Sequence, residues 1–243
     1  MTLAGGQDNA ATMLDLRPVG YVIGLLVASL GFTMFGPLVV DLLAGNGHWF
    51  VFFESAVVTL VTGGLIALAC SNGVAQGLSL RQTFLLTSLV WLTLPVFGAI
   101  PFVLGAPNAS FTDAFFEAMS GITTTGSTVI VGLDSAPPGI LLWRAILQWL
   151  GGLGIIVMAV AVLPMLQMGG MQIFKAEAFD TTDAILPRVT QISGAMTLIY
   201  ISLTILCAFS YFFAGMNLSD AIFHAMTTVA TGGFSTKDAS LGH

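Results

Sequence analysis

Long apolar runs separated by short polar breaks set the pattern of this chain. A helix needs about 20 mostly apolar residues to cross the hydrocarbon core of a bilayer. Five stretches meet that length: 19–44, 49–70, 84–104, 139–168 and 192–216. Asp41 is the only charge in the first, Glu54 lies in the second, and Arg144 lies near the start of the fourth; the third and fifth carry no charge. Two further apolar stretches, 111–122 and 218–229, have twelve residues each, too few to span, and each carries an acid near its start. Each runs directly into a Thr/Gly-rich tract. The pattern predicts five membrane-spanning helices and two short helices that enter and leave the same face. Non-helical backbone survives at membrane depth only when buried in protein or lining a watery cavity, so such segments imply a cavity or a pore.

Composition supports the membrane assignment. Hydrophobic residues make up 56% and charged residues 7% of the 243, against roughly 25% charged in a soluble domain. The net charge of −6 offers no basic footprint for nucleic acid. The first seventeen residues hold Asp8, Asp15 and only one basic residue, Arg17, so the first apolar run reads as a retained anchor instead of a cleaved signal. Cys70 and Cys207 both fall in apolar runs and read as small buried hydrophobes. With the N-terminus inside, Arg17, Arg81, Lys175 and Arg188 fall on the cytoplasmic side, and Arg144 and Lys237 fall outside. That modest positive-inside bias places both Thr/Gly tracts in the outer half of the membrane.

The two short segments are copies of one another. The run from Asp113 to Thr128 aligns without a gap onto that from Asp220 to Ser235, at an offset of 107 residues. Seven of the sixteen positions are identical, including Asp113/Asp220, Phe116/Phe223, Ala118/Ala225, Met119/Met226, Thr124/Thr231 and Gly126/Gly233. The unit is an apolar span, a short helix, a Thr/Gly loop and a second span. Internal repeats are common in transport folds, with the site where repeats meet. Thr112-Asp113 and Ser219-Asp220 are the expected N-caps, and Phe116, Ala118 and Met119 (Phe223, Ala225 and Met226 in the second copy) the expected packing residues. The helix C-terminus then turns its negative dipole end toward the loop, which favours a cation. Glycine frees the backbone to aim carbonyl oxygens at one axis, and such oxygens replace the hydration shell of a potassium ion. An isolated Thr/Gly cluster would be an ordinary loop; two gapless copies in one context are not.

The motif from Phe116 to Thr128, followed by Trp143-Arg-Ala-Ile-Leu-Gln-Trp-Leu-Gly-Gly-Leu-Gly-Ile-Ile156, resembles the first pore repeat of the Trk-type membrane subunits of the Trk/Ktr/HKT potassium transporters. The motif from His224 to Thr236 resembles the second. The resemblance covers nearly the whole chain from Val19 onward. It implies an all-α, potassium-channel-like membrane protein of four M1–P–M2 repeats, of which this chain carries the N-terminal half. Residues 1–78 would be a tail and an extra helix pair, 79–186 the first repeat with its cytoplasmic loop, and 187–243 the second repeat up to its filter loop. The implied filter residues are Thr123, Thr124, Thr125, Gly126 and Ser127 with Ala230, Thr231, Gly232, Gly233 and Phe234. Potassium would be held by the backbone carbonyls of Thr124, Thr125, Gly126, Thr231, Gly232 and Gly233.

The resemblance further implies a multi-pass protein of the cell (inner) membrane, a homodimer, and a cytosolic nucleotide-binding regulatory subunit docked on the inner face. The loop 169–187 is the natural contact for that subunit. No catalytic residue and no cofactor is implied beyond potassium as cargo. With two of four filter segments present, the chain is expected to be a fragment or to need its remainder from elsewhere, and a non-conducting remnant is one alternative. A sodium or mixed-cation pathway is another. An intramembrane enzyme using Glu54, Asp113 and Glu117 would leave the repeat unexplained. Arg144 has two readings: pairing with Asp113, Glu117 or Asp134, or snorkelling beside Trp143 and Trp149. Glu54, five residues after Trp49, reads as interfacial, the Gly151-Gly-Leu-Gly154 run as close helix packing, and His224 as a packing or hydrogen-bonding residue.

Overall fold

A computed structural model describes residues 15–73, 78–166 and 185–240. Among the described residues every regular element is helical, and five helical segments are long and apolar enough to cross a membrane. The first span, Arg17–Leu43, is built from α1 (Arg17–Thr33) and α2 (Phe35–Leu43), joined through Met34, whose backbone stays near helical values. The second is α3 (Trp49–Cys70). The third, Arg81–Leu104, combines α4 (Leu80–Gly98) with α5 (Ile100–Leu104). A capping box starts α4: the Ser79 hydroxyl accepts from the Gln82 N–H, and the Gln82 side chain accepts from the Ser79 N–H. Two 12-residue helices, α6 (Phe111–Ile122) and α9 (Leu218–Val229), coincide with the two short segments read from the sequence. Between them lie α7 (Pro138–Leu166) and α8 (Ile185–Phe213), which carry the remaining spans. The expected cytoplasmic loop falls mostly outside the described residues.

α1 and α3 run antiparallel at a separation that only glycine allows. A Cβ added to Gly24 would lie 2.5 Å from the Ala67 nitrogen and 2.7 Å from the Gly63 carbonyl oxygen. One added to Gly63 would lie 2.5 Å from the Ala28 nitrogen. Both obstacles are backbone, so nothing there can swing aside. Lipid is as apolar as leucine, and close backbone approach through small residues is how helices gain packing energy in a membrane.

The core lies where α2, α3, the α4–α5 break, α6 and α7 converge on Met34, Phe52, Phe102, Ala118, Trp143 and Leu147. Pro101 lacks an N–H, and the Phe102 N–H bonds to the Ala99 carbonyl. The Gly98 carbonyl accepts instead from the buried Trp143 indole N–H at 2.9 Å. Trp143 is therefore a core residue and not an interfacial anchor.

A polar knot closes one edge of this core. Asp41, in the last turn of α2, is fully buried. Its Oδ1 accepts from the Gly139 N–H at 2.7 Å, at the start of α7, and from Asn46 Nδ2 at 3.2 Å. Its Oδ2 meets His48 Nδ1 at 2.9 Å, while His48 Nε2 accepts from the Ala106 N–H at 3.0 Å. That pattern fixes the proton on Nδ1. One carboxylate thus ties the N-terminal helix pair to the start of α7, and through His48 to the segment after α5.

α8 stands apart. It touches α7 through the Trp149 indole donating to Thr204 Oγ1 (3.0 Å) and the Tyr200 hydroxyl donating to the Trp149 carbonyl (3.1 Å). Leu198, Ile205, Leu206, Phe209 and Phe213 on it are exposed. Cys70 and Cys207 are free thiols and only partly buried, not the core residues expected.

Candidate ion-binding loops

The two short helices begin alike. Ser110 Oγ accepts from the Asp113 N–H at 3.2 Å and donates to Asp113 Oδ2 at 2.8 Å. At the equivalent position, Asn217 Oδ1 accepts from the Asp220 N–H (2.8 Å) and Nδ2 donates to Asp220 Oδ2 (2.7 Å). The caps therefore sit two residues earlier than Thr112 and Ser219, with the acids inside the first turn, where they face the positive end of the helix. Packing also departs from expectation at one position: Phe116 is exposed, and its neighbour Glu117 is buried.

They also end alike. The Thr124 N–H bonds to the Gly121 carbonyl and the Thr125 N–H to that of Ser120, both at 2.9 Å. The Thr231 N–H bonds to the Thr228 carbonyl and the Gly232 N–H to that of Thr227, again both at 2.9 Å. This is the Schellman closure, in which the chain reverses through a left-handed residue that is usually glycine. Here it is threonine both times, at φ +55° for Thr124 and +60° for Thr231. A β-branched residue there is strained by roughly 1–3 kcal/mol, a strain that persists only where the surroundings impose it. Two residues on, Gly126 (φ +80°) and Gly233 (φ +75°) are left-handed again. The two loops share one backbone path.

The loops also meet. A Cβ added to Gly126 would collide with the Gly232 carbonyl oxygen, so only glycine lets the two tracts cross there. Of the residues named from the sequence, Thr124, Gly126 and Gly232 are half-buried, while Thr125, Ser127, Thr231 and Gly233 are exposed. Ala230 and Phe234 are buried. Thr123 Oγ1 donates to the Met119 carbonyl (2.7 Å) and lies 2.8 Å from Thr125 Oγ1. The Ser127 carbonyl accepts from the Ser120 hydroxyl at 2.6 Å. That bond ties the loop back to α6.

Behind the loops, α7 supplies the scaffold. Arg144 is buried and pairs with Glu117 (Nε to Oε1, 2.8 Å), choosing among the pairings open in the sequence and overturning the snorkelling alternative. Its Nη1 donates to the Ser235 carbonyl (2.6 Å), its Nη2 to Thr128 Oγ1 (3.2 Å), and its guanidinium lies 4.2 Å from the Phe234 ring centroid. Glu117 further accepts from Thr128 Oγ1 (2.9 and 3.0 Å) and the Val129 N–H (3.0 Å). In the second copy His224 stands at Glu117's position, its Nδ1–H on the Asp220 carbonyl (2.9 Å) and its Nε2 3.3 Å from Ser235 Oγ. Gly151 and Gly152 fit the close-packing reading: a Cβ on Gly151 would strike the Ile122 carbonyl, and one on Gly152 would lie 3.1 Å from the Ala230 Cα. Glu54 is exposed near the start of α3.

Two contributors were not legible as site residues. Gln148 is fully buried and its Oε1 accepts from the Phe234 N–H at 3.0 Å. Asp238 Oδ1 accepts from the N–H groups of Gly132 (3.0 Å) and Leu133 (3.1 Å), tying the second loop to the first. Among the described residues no group of three His, Cys, Asp or Glu side chains gathers as a metal centre would require. What the loops offer a cation is neutral oxygen.

An all-helical, multi-pass membrane protein with a duplicated helix–loop unit is a transport architecture. The model of the cation transport protein family TrkH matches residues 48–243, and the chain belongs to that family. It is 43% identical over 233 residues to the Trk system potassium uptake protein TrkH of Halomonas elongata, covering 95% of this chain and 48% of the relative. It is 44% identical over 234 residues to TrkH of Escherichia coli K12, with the same coverage of each. The crystal structure of the potassium transporter TrkH from Vibrio parahaemolyticus superposes with a TM-score of 0.83 at 42% identity, covering 95% of this chain and 46% of that one. The chain thus spans about half the length of the relatives it matches.

Proposed function

We propose that this chain forms two of the pore repeats of a Trk-type potassium uptake system, and that its Thr/Gly loops are segments of a carbonyl-lined selectivity filter. The carrying observation is the shared backbone of the loops, left-handed at Thr124 and Gly126 and again at Thr231 and Gly233, with the Gly232 carbonyl lying against Gly126. In ordinary extended backbone successive carbonyls face opposite sides. A left-handed residue at every second position turns them to one side, which is what a dehydrated potassium ion requires. The ligand set is the carbonyls of Thr124, Thr125, Gly126, Thr231, Gly232 and Gly233. Ser127 flanks that set, its carbonyl accepting from the Ser120 hydroxyl with a second lone pair left over.

The 12-residue helices α6 and α9 are about 18 Å long, short of the roughly 30 Å hydrocarbon core. They therefore serve as re-entrant pore helices, C-termini toward the ion. Residues 1–78 are the accessory helix pair, 79–186 the first repeat and 187–243 the second. The protein lies in the inner membrane with a cytoplasmic N-terminus, and dimerisation and a cytosolic nucleotide-binding subunit belong to the same reading. The relatives named for potassium uptake support potassium over sodium.

The test is growth of a potassium-uptake-deficient bacterial strain on low potassium. It is run with the chain alone and with the chain completed by the second half of the Vibrio parahaemolyticus relative, with and without Gly126→Asp. Rescue by the completed chain, lost on the glycine change, is the expected result. Rescue by the chain alone would mean that it assembles a pore by itself. A completed chain that is stable in the membrane but carries no potassium would overturn the proposal, and sodium uptake in its place would favour the mixed-cation alternative.

A further inference from the structure

α7 holds the second loop by its main chain at two consecutive residues. Arg144 and Gln148 are one helical turn apart on the same face. Arg144 Nη1 donates to the Ser235 carbonyl at 2.6 Å, and Gln148 Oε1 accepts from the Phe234 N–H at 3.0 Å. One side chain takes a carbonyl and the other takes an N–H, so between them they fix both the position and the direction of the strand that leaves the tract.

Gln148 does more than anchor. Its side chain is fully buried, and its Nε2 has no hydrogen-bond partner among the described residues. A buried donor left unsatisfied is disfavoured by about 1–3 kcal/mol, so a position that retains one calls for a reason. The amide lies against the crossing of the two tracts. A Cβ on Gly232 would lie 2.5 Å from Nε2, and one on Gly126 3.7 Å from it. A side chain at Gly232 would have to displace the Gln148 amide, whereas one at Gly126 would strike the Gly232 backbone carbonyl itself.

We infer that Gln148 is a positioning residue for ion discrimination: a side chain of the first repeat that sets the spacing between the two carbonyl tracts by wedging its amide behind Gly232 while holding Phe234. The role rests on the filter reading above. Its mechanism is geometric. With the Phe234 N–H released and the wedge softened, the Gly232 carbonyl is free to move relative to Gly126. Discrimination between cations of different radius then relaxes before transport itself is lost.

The test uses the completed transporter in the uptake-deficient strain and measures initial rates for potassium, rubidium and sodium across concentration, normalised to protein in the membrane. Gln148→Met keeps length and bulk but removes both polar groups. It is expected to lower the potassium-to-sodium ratio of Vmax/KM about tenfold, the factor that corresponds to one lost buried hydrogen bond. Gln148→Glu, whose carboxyl is held protonated by full burial, keeps an acceptor for the Phe234 N–H without adding a charge and is expected to restore most of that discrimination. Equal losses for all three ions in both variants would make Gln148 a packing residue only and overturn the inference. Unchanged discrimination in the Met variant would overturn it too. Should that variant fail to reach the membrane, Gln148→Asn, which withdraws the amide by one methylene, is judged by the same two outcomes. A parent that carries no potassium at all sinks the transport reading itself, a failure distinct from failure of the Gln148 variants alone.

Discussion

The Glu117–Arg144 pair lends itself to a quantitative test, because both partners are at most 1% exposed and their bonds are known. Glu117→Leu removes an acceptor that serves the Arg144 guanidinium, the Thr128 hydroxyl and the Val129 N–H. It leaves a buried cation without its counter-charge, for which the expected loss is about 3–5 kcal/mol. Arg144→Met leaves the carboxylate uncompensated and also releases the Ser235 carbonyl, so it should be no milder. The double replacement removes both buried charges and their desolvation together, and should be less destabilising than the sum of the singles by at least about 2 kcal/mol. Thermal unfolding in detergent, followed by size-exclusion of the surviving monodisperse protein, reads this out. At about 2–4 °C per kcal/mol for a chain of this size, each single change should lower Tm by roughly 6–20 °C, with the loss in the double variant smaller than the sum by at least about 4–8 °C. Single variants within about 2 °C of the parent, or a double variant whose loss equals the sum, would refute the reasoning that the pair is a coupled clamp.

Gly24→Leu should separate α1 from α3 and lower stability by about 1–3 kcal/mol; Gly64→Leu, where nothing lies within 4 Å, should leave Tm unchanged, and equal effects at the two sites would refute the close-packing account. Asp41→Ala orphans the Gly139 N–H, Asn46 Nδ2 and His48 Nδ1, and should lower stability by about 2–3 kcal/mol in the same assay. A Tm indistinguishable from the parent would mean that the knot holds nothing. Thr231→Asn suits the left-handed region better than a β-branched residue and should raise stability by roughly 1 kcal/mol. A fall in Tm instead would show that the threonine side chain is needed in the fold.

The helices were legible because apolar length is a strong signal, and the short ones because a Thr/Gly tract stops them where the chain turns. The caps were misplaced by two residues because Thr112 and Ser219 stand next to the acids. The informative spacing was Ser110 to Asp113 and Asn217 to Asp220, a capping residue three positions before a side chain that can reach back. Arg144 was visible as an oddity in a span, but its partner had to be chosen from three acids. Asp41 and Gln148 were illegible in a stricter sense. Each stands in an apolar run, and its main partner lies 98 or 86 residues away. Periodicity and local motif carry no information over that distance.

The repeat itself diverges where a shared partner makes identity unfavourable. In the first copy the Thr128 hydroxyl reaches Glu117; in the second the equivalent Ser235 hydroxyl reaches His224. The tie between loop and short helix is thus kept while the residue on the helix changes. Arg144 explains the change. It pairs with Glu117 and also reaches across to the Ser235 carbonyl and the Phe234 ring, so one guanidinium serves both loops. A second carboxylate at position 224 would be a buried anion with no cation of its own, a far larger penalty than a lost hydrogen bond. An imidazole with Nδ1–H on the Asp220 carbonyl makes the same tie to the loop hydroxyl without that second charge. Backbone symmetry between the loops therefore requires asymmetry in what supports them, and the positions where the copies differ mark where the first repeat reaches into the second.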